Sequence, residues 1–501
     1  MRSKKAFTNS VTSLAYEAVV IVSGLIIPRL ILTHYGSEYN GVIASITQFI
    51  SYIGLLTAGV GVVTQTALYK PLAEHDLPKI SGIMYATEIF IRKVAFIFAG
   101  AILAFAWLYS FLVRNEFDPF FIFSLTLILG VRIFIYYLFG FAYQMLITAD
   151  QRAYVIVRIR ICTVTLNTVI AAILILAGSE LLIAQLAAAP ILAAVPMFVR
   201  WYARKHYQLV FPIEPDNSAI RERWDAFTSQ VAYFVNNNTD IIIITLFLGV
   251  IEVSVYVVYF MVIRAMRTII LGLMGNEMAA PFGNMLARGE YGIVRKNLLL
   301  YEFMAGSISV VLCTCTAVLI VPFVSVYTQG IVDANYFRPM FAHLICAAQF
   351  LFVLRIPYQA LTKAVGHFRQ MRNGAIAEMC INILLSIVLV QRFGISGVAI
   401  GTLCSMMFRT LQYAAYVSRH IVRRSLWIAA RTMLLSFGNA AVTLGIVCLL
   451  PEMGAVTYTA WTLHALSVFA VAVAVTGLFT VLFYRDEALM LMGKMRYLRR
   501  K

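Results

Sequence analysis

The chain has 501 residues, of which 61% are hydrophobic and only 13% charged, and its mean hydropathy is +0.85. That balance excludes a soluble globule and indicates a polytopic, all-α membrane protein. The net charge of +17 and pI near 9.6 would suggest a nucleic-acid partner in a soluble protein; here the charge follows topology, as shown next, and no nucleic acid is expected.

The N-terminal MRSKK runs directly into a long apolar stretch and lacks the short apolar region and small-residue site of a cleavable signal. A span length of ~20 residues predicts fourteen helices. Their limits are 11–34, 40–68, 85–113, 119–148, 154–177, 181–203, 226–249, 252–280, 298–327, 338–363, 370–391, 395–419, 426–450 and 459–485. Of the 40 Lys and Arg, Arg114, Arg338 and Arg392 fall on the outer side if the N-terminus is inside, and six lie within spans; the rest collect at inner loops and inner span ends. The positive-inside rule therefore puts both termini in the cytoplasm, with the surplus cation facing anionic membrane lipid. The seven cysteines lie in apolar segments without metal-ligand spacing, and no GxxxxGK[ST] occurs. Neither a metal nor a nucleotide is expected. The interspan loops are too short for a catalytic domain, so the chain reads as a non-enzyme.

An internal repeat organises the spans. Tyr143-Gln144-Met145-Leu146 recurs as Tyr358-Gln359-Ala360-Leu361, Asn167 matches Asn382, and Gly36 and Gly249 each close the first span of a half. An even number of helices separates the copies, so the halves are parallel repeats about an axis along the membrane normal. The expected domains are residues 1–210 and 211–424, two pseudo-symmetric six-helix bundles, and 425–501, two further helices with a basic tail. Substrate sites in such transporters lie between halves near the midplane.

Six arginines fall inside spans: Arg29, Arg132, Arg264, Arg267, Arg355 and Arg409. A cation in hydrocarbon is costly and normally faces a cavity or a partner. Arg264 and Arg267 stand at i and i+3, so they share a helix face, with Arg264 ~18 Å into its span at 1.5 Å per residue. Two guanidiniums on one face suit phosphate oxygens; the competing reading is charge compensation by Asp240. Arg29 follows Pro28, and Gly24 with Pro28 weakens the first span, giving either a gate or a snorkelling cation beside a kink. Arg132 and Arg355 line a cavity or pair internally, and Arg409 reads as structural. Asp240 and Glu17 either neutralise arginines or form a proton or sodium site. Asn237 and Asn238 bond sugar hydroxyls or a neighbouring helix. Tyr143, Tyr358 and Trp107 stack on sugars or anchor at the interface.

Several segments carry a family resemblance. ALYKPLAEHDLPKI (67–80), NNNTDIIII (236–244) and FGISGVAIGT (393–402) resemble the multidrug/oligosaccharidyl-lipid/polysaccharide exporter superfamily, in particular bacterial polysaccharide flippases of the Wzx type, over most of residues 8–425. The resemblance implies two bundles that alternate between inward- and outward-open states in the bacterial cytoplasmic membrane. The cargo it implies is an oligosaccharide on undecaprenyl pyrophosphate, of capsule, exopolysaccharide or O-antigen type, with polymerase and glycosyltransferases as partners. The related lipid II flippases share fourteen helices and a basic cavity with arginines on spans 1 and 8, where Arg29 and Arg264 or Arg267 stand here. A lipid II flippase is thus the alternative, and a multidrug/cation antiporter a weaker one, because a cationic drug calls for an acidic cavity. No cofactor is expected; a proton or sodium gradient or the membrane potential supplies the drive.

Overall fold

The computed structural model describes residues 2–113, 116–210, 213–216, 234, 238–274, 278–450, 457–490 and 493, without the side chains of 2–7, 56, 58 and 280. The predicted Asn237 lies outside the described residues. All described regular structure is helical: α1 (Arg2–His34), α2 (Ser37–Ile53), α3 (Ala58–Glu74), α4 (Leu77–Leu112), α5 (Pro119–Phe139), α6 (Phe141–Ala149), α7 (Ala153–Leu176), α8 (Leu181–Tyr207), α9 (Asn238–Leu248), α10 (Val250–Met274), α11 (Ala279–Ala287), α12 (Tyr291–Tyr327), α13 (Pro339–Ala364), α14 (Phe368–Phe393), α15 (Ile395–Tyr416), α16 (Leu426–Val447) and α17 (Tyr458–Phe483). Among the described residues, 11 helices are long and apolar enough to cross a membrane. The chain is a multi-pass membrane protein.

Helix starts are written locally. Asp76 and Asp118 accept hydrogen bonds from the backbone N–H of Lys79 and Phe121, each at 3.0 Å, with a proline in the first turn. Such caps satisfy amides that the helix itself leaves unbonded.

Two predicted spans differ from the simple reading. The stretch predicted as one helix at 40–68 is α2 and α3 joined by a tight 3₁₀ turn, Gly54–Thr57. The break is tolerable in an apolar setting because side chains take up the freed backbone: Tyr137 donates to the Gly54 carbonyl at 3.0 Å, and Thr57 donates to the same carbonyl at 3.1 Å. The stretch at 119–148 is α5 and α6, separated at Gly140, where an added Cβ would lie 2.5 Å from Cβ of Pro196 on α8. Glycine there admits the neighbouring helix.

The described chain divides into two compact units, 1–242 and 243–501. Each repeats one packing scheme. In the first, α4 packs on α5, α5 on α8 and α7 on α8; in the second, α12 packs on α13, α13 on α15 and α14 on α15. The α14–α15 contact is close because Gly397 and Gly401 face it: an added Cβ would meet the Leu389 carbonyl oxygen at 2.3 Å or Ser386 Oγ at 2.4 Å. Small residues four apart let membrane helices approach backbone to backbone.

The appended helices α16 and α17 pack on α12 and on each other, through Cys315, Leu319, Val447, Val468 and Ala472. Trp461 donates its indole N–H to the Leu319 carbonyl at 3.2 Å, fixing α17 against α12.

Candidate functional site

The buried charge in each unit determines which arginines are committed to structure. In the second unit, Arg355 (α13) donates to Glu378 (α14) at 2.7 Å, and Arg409 (α15) approaches the other carboxylate oxygen at 3.3 Å. All three are buried. Arg409 also donates to the Met371 carbonyl, which ties α15 to α14, and to the Gln412 side-chain oxygen and the Tyr413 hydroxyl on its own helix. Arg355 is therefore engaged by a carboxylate inside the bundle, with its Nε buried and lacking a hydrogen-bond partner. Two guanidiniums on one carboxylate leave local positive charge.

Arg264 and Arg267 differ from that pair. Both sit on the uninterrupted α10, with Arg264 ~21 Å from the helix start at 1.5 Å per residue. Arg264 is exposed and forms no hydrogen bond or ion pair through its side chain with any described residue. Arg267 is half-buried, and its guanidinium carbon lies 4.1 Å from the ring centroid of Phe352 on α13. Arg355 approaches the same ring at 5.4 Å. The structure thus brings Arg267 and Arg355 together through Phe352 and leaves Arg264 exposed one turn away.

In the first unit, α1 continues unbroken through Gly24 and Pro28, and Arg29 is half-buried on it. A Cβ added at Gly24 would meet nothing within 4 Å, so close packing does not require glycine there. Glu17 is half-buried on α1 and makes no ion pair with a described residue. Arg132 is exposed on α5, in electrostatic reach of Tyr16. Asn238 donates to the Phe234 carbonyl at 2.9 Å, a bond within its own segment. Thr239 meets the Tyr52 hydroxyl at 2.9 Å, and half-buried Asp240 lies in electrostatic reach of that tyrosine.

Sequence reasoning passed over the carboxylates that hold the bundles together. Glu88 on α4 accepts from the Tyr143 hydroxyl at 3.3 Å and lies 3.7 Å from Arg200, while Arg204 donates to the same hydroxyl at 3.2 Å. In the second unit, Glu302 on α12 forms a two-pronged ion pair with Arg424, and the Tyr358 hydroxyl bonds both partners. Glu302 lies at the repeat position of Glu88, as Tyr358 does of Tyr143. Each unit therefore carries the same Tyr–Glu–Arg cluster at its basic end. Tyr143 and Tyr358 are almost fully buried there, and Trp107 is exposed on α4. The signal was present in the sequence: the glutamates recur at the repeat spacing in spans otherwise poor in acid. Arg295 adds bonds to the Val422 and Arg423 carbonyls, so α12 also grips the turn into α16.

At the other end, Arg338 donates to Glu252 at 2.6 Å, joining α13 to the start of α10. A small cavity of about 30 Å³ is lined by Leu271, Tyr301, Phe352, Ile356, Gln359 and Lys363 among others. That is room for about one water. Among the described residues, no cluster of His, Cys, Asp and Glu is arranged to hold a metal.

The architecture is similar to solved transporters. An inward-facing multidrug resistance MATE family transporter of the MOP superfamily superposes with a TM-score of 0.68 at 13% identity, covering 82% of this chain and 98% of that one. The lipid II flippase MurJ in an inward closed conformation superposes with the same TM-score and identity, covering 95% of this chain and 98% of that one. The MATE multidrug transporter DinF-BH gives 0.59 at 16% identity over 83% of this chain and 95% of that one. These likenesses establish the fold. No family model and no curated protein matches the sequence.

Proposed function

We propose that the chain is a flippase that moves an oligosaccharide linked to undecaprenyl pyrophosphate from the inner to the outer leaflet by alternating access. It would sit in the bacterial cytoplasmic membrane with both termini inside. The observation that carries the reading is the α10 pair: an exposed Arg264, whose side chain bonds no described residue, and a ring-stacked Arg267, one turn apart at mid-helix. A guanidinium at that depth is tolerable where it meets water or an anion, and two forks on one face match a pyrophosphate. Arg29 and Arg132 are the further cationic candidates, in the first unit. Arg355, held by Glu378, contributes field and not a contact.

The similarity to the lipid II flippase spans 95% of this chain, against 82% for the MATE transporter. Lipid II is the second cargo reading. The membrane potential supplies a drive: about 2.3 kcal/mol per negative charge expelled per 100 mV. Asp240 and Glu17 are the candidates for coupling to a proton or sodium gradient.

The test is reconstitution into liposomes with the lipid-linked oligosaccharide and a membrane-impermeant glycosidase outside. The wild type exposes the inner pool to the enzyme. Equal exposure from protein-free liposomes, or an unchanged rate in Arg264→Ala, defeats the reading.

A further inference from the structure

We propose that Arg92, Arg200 and Arg204, gathered around Glu88 at the basic end of the first unit, bind the phosphate headgroup of an anionic glycerophospholipid in the adjoining leaflet. The site is separate from the α10 pair and does not depend on the flippase reading. Three observations lead to it. First, the cluster carries more positive charge than the fold requires. Glu88 Oε1 lies 3.8 Å from Arg92 and 3.7 Å from Arg200, and its other oxygen accepts from the Tyr143 hydroxyl, to which Arg204 donates through Nε at 3.2 Å. Three guanidiniums thus share one carboxylate, an excess of two positive charges. Both contacts to Glu88 lie beyond hydrogen-bond reach, and neither Arg92 nor Arg200 hydrogen-bonds a described residue. The repeat-related place in the second unit needs only one arginine: Glu302 and Arg424 form a buried, two-pronged, neutral pair. Guanidiniums with donors to spare suit phosphate oxygens.

Second, the cluster stands at headgroup depth. At 1.5 Å per residue, Arg92 is ~30 Å along α4 from Leu112, and Arg200 is ~28 Å along α8 from Leu181, the helix ends that lie away from the basic side. Both distances match a hydrocarbon core of about 30 Å. Exposed Trp201, next to Arg200, is the residue type that favours this boundary. Third, the arginines sit above an apolar surface. Phe96, one turn from Arg92, and Met197, one turn from Arg200, both lie toward the hydrocarbon and both are exposed. The helix between them is α5, which packs on α4 and α8 and carries Phe139 beneath the Arg200 guanidinium at 5.4 Å. A phospholipid uses both parts, its phosphate on the arginines and its acyl chains along Phe96 and Met197. A free phosphate has no use for the second.

The experiment titrates brominated phosphatidylglycerol or brominated phosphatidylcholine into the full chain in detergent and follows quenching of the Trp201 emission, taken as the difference from Trp201→Phe in each background. Phosphatidylglycerol should quench at a lower mole fraction than phosphatidylcholine. Arg92→Gln and Arg200→Gln should each raise its midpoint by about 5-fold, the effect of one cation at a membrane surface, and leave that of phosphatidylcholine unchanged. Glu88→Gln should lower it, because the carboxylate opposes the headgroup. Arg372→Gln, an exposed cation near the start of α14, should change neither. If Arg200→Gln does not melt like wild type, Arg92→Gln combined with Arg204→Gln serves in its place, since both residues are exposed. Equal midpoints for the two lipids, or unchanged midpoints in the arginine variants, overturn the proposal. An equal shift in Arg372→Gln overturns it too, because it marks diffuse surface attraction. Displacement of the brominated phosphatidylglycerol by an isoprenyl pyrophosphate more readily than by unbrominated phosphatidylglycerol overturns the assignment to phospholipid and makes the cluster a second cargo contact.

Discussion

Glu302 and Glu88 occupy equivalent places in the two halves, yet the same substitution should cost very different amounts. The Glu302 and Arg424 side chains are only 2% and 3% exposed, and they meet through two parallel bonds. Glu302→Gln leaves a buried guanidinium without its counter-charge, which costs about 3–5 kcal/mol. Glu88 is 14% exposed, its arginines Arg200 and Arg92 are 24% and 59% exposed, and both lie beyond 3.5 Å. Loosely held, partly wet pairs contribute at most about 1 kcal/mol, so Glu88→Gln should be mild. The assay is the fraction of detergent-solubilised protein that stays monodisperse after heating. The midpoint should fall by several degrees for Glu302→Gln and by little for Glu88→Gln. Glu302→Gln with Arg424→Met should recover most of the loss, because removing both charges removes the desolvation penalty. Equal shifts for the two glutamates, or no recovery in the double variant, would refute the reasoning that burial sets the cost.

Gly397→Leu should prevent α14 and α15 from packing, since even a Cβ would lie 2.3 Å from the Leu389 carbonyl oxygen; expression of monodisperse protein should be lost, whereas Gly438→Leu, where a Cβ meets nothing within 4 Å, should express normally. Glu116, in the turn before α5, has its carboxyl pushed above the ordinary range by burial and then by Glu38. A raised carboxyl pKa favours the folded state at low pH, and that contribution is lost as pH rises through the folded value. Glu116→Gln should therefore raise the midpoint slightly at pH 7, by well under about 1 kcal/mol because the residue is mostly exposed, and leave it unchanged near pH 4. On a cysteine-free background, a cysteine at Val332, which is 96% exposed, should label from outside intact cells and one at exposed Glu74 should not; the reverse pattern would invert the topology.

Fold class was legible because hydropathy, basic-residue placement and a repeated Tyr-Gln motif all act over long stretches. The broken second span was not, because nothing local marks it: Gly54 is an ordinary glycine until Tyr137, 83 positions away, donates to its carbonyl. The arginines of the candidate site were legible individually, as cations in apolar runs. Their sorting was not. Arg355 and Arg264 look alike in sequence, and only the placement of Glu378 one helix away separates a committed guanidinium from an exposed one. Tyr143 and Tyr358 marked the repeat correctly, while their burial beside Glu88 and Glu302 depends on three helices meeting.

The account turns on Arg264 and Arg267 meeting a phosphate, and transport by paired variants tests that most directly. In liposomes carrying undecaprenyl-pyrophosphate-linked oligosaccharide, Arg264→Ala and Arg267→Ala should each abolish movement to the outer leaflet while the proteins insert and melt like wild type. Lysine at either position should restore transport only in part, because an ammonium keeps the charge and loses the two-pronged geometry. Full transport by either alanine variant, or by a variant that also replaces Asp240 with asparagine, would contradict the assignment and make the pair a structural charge balance.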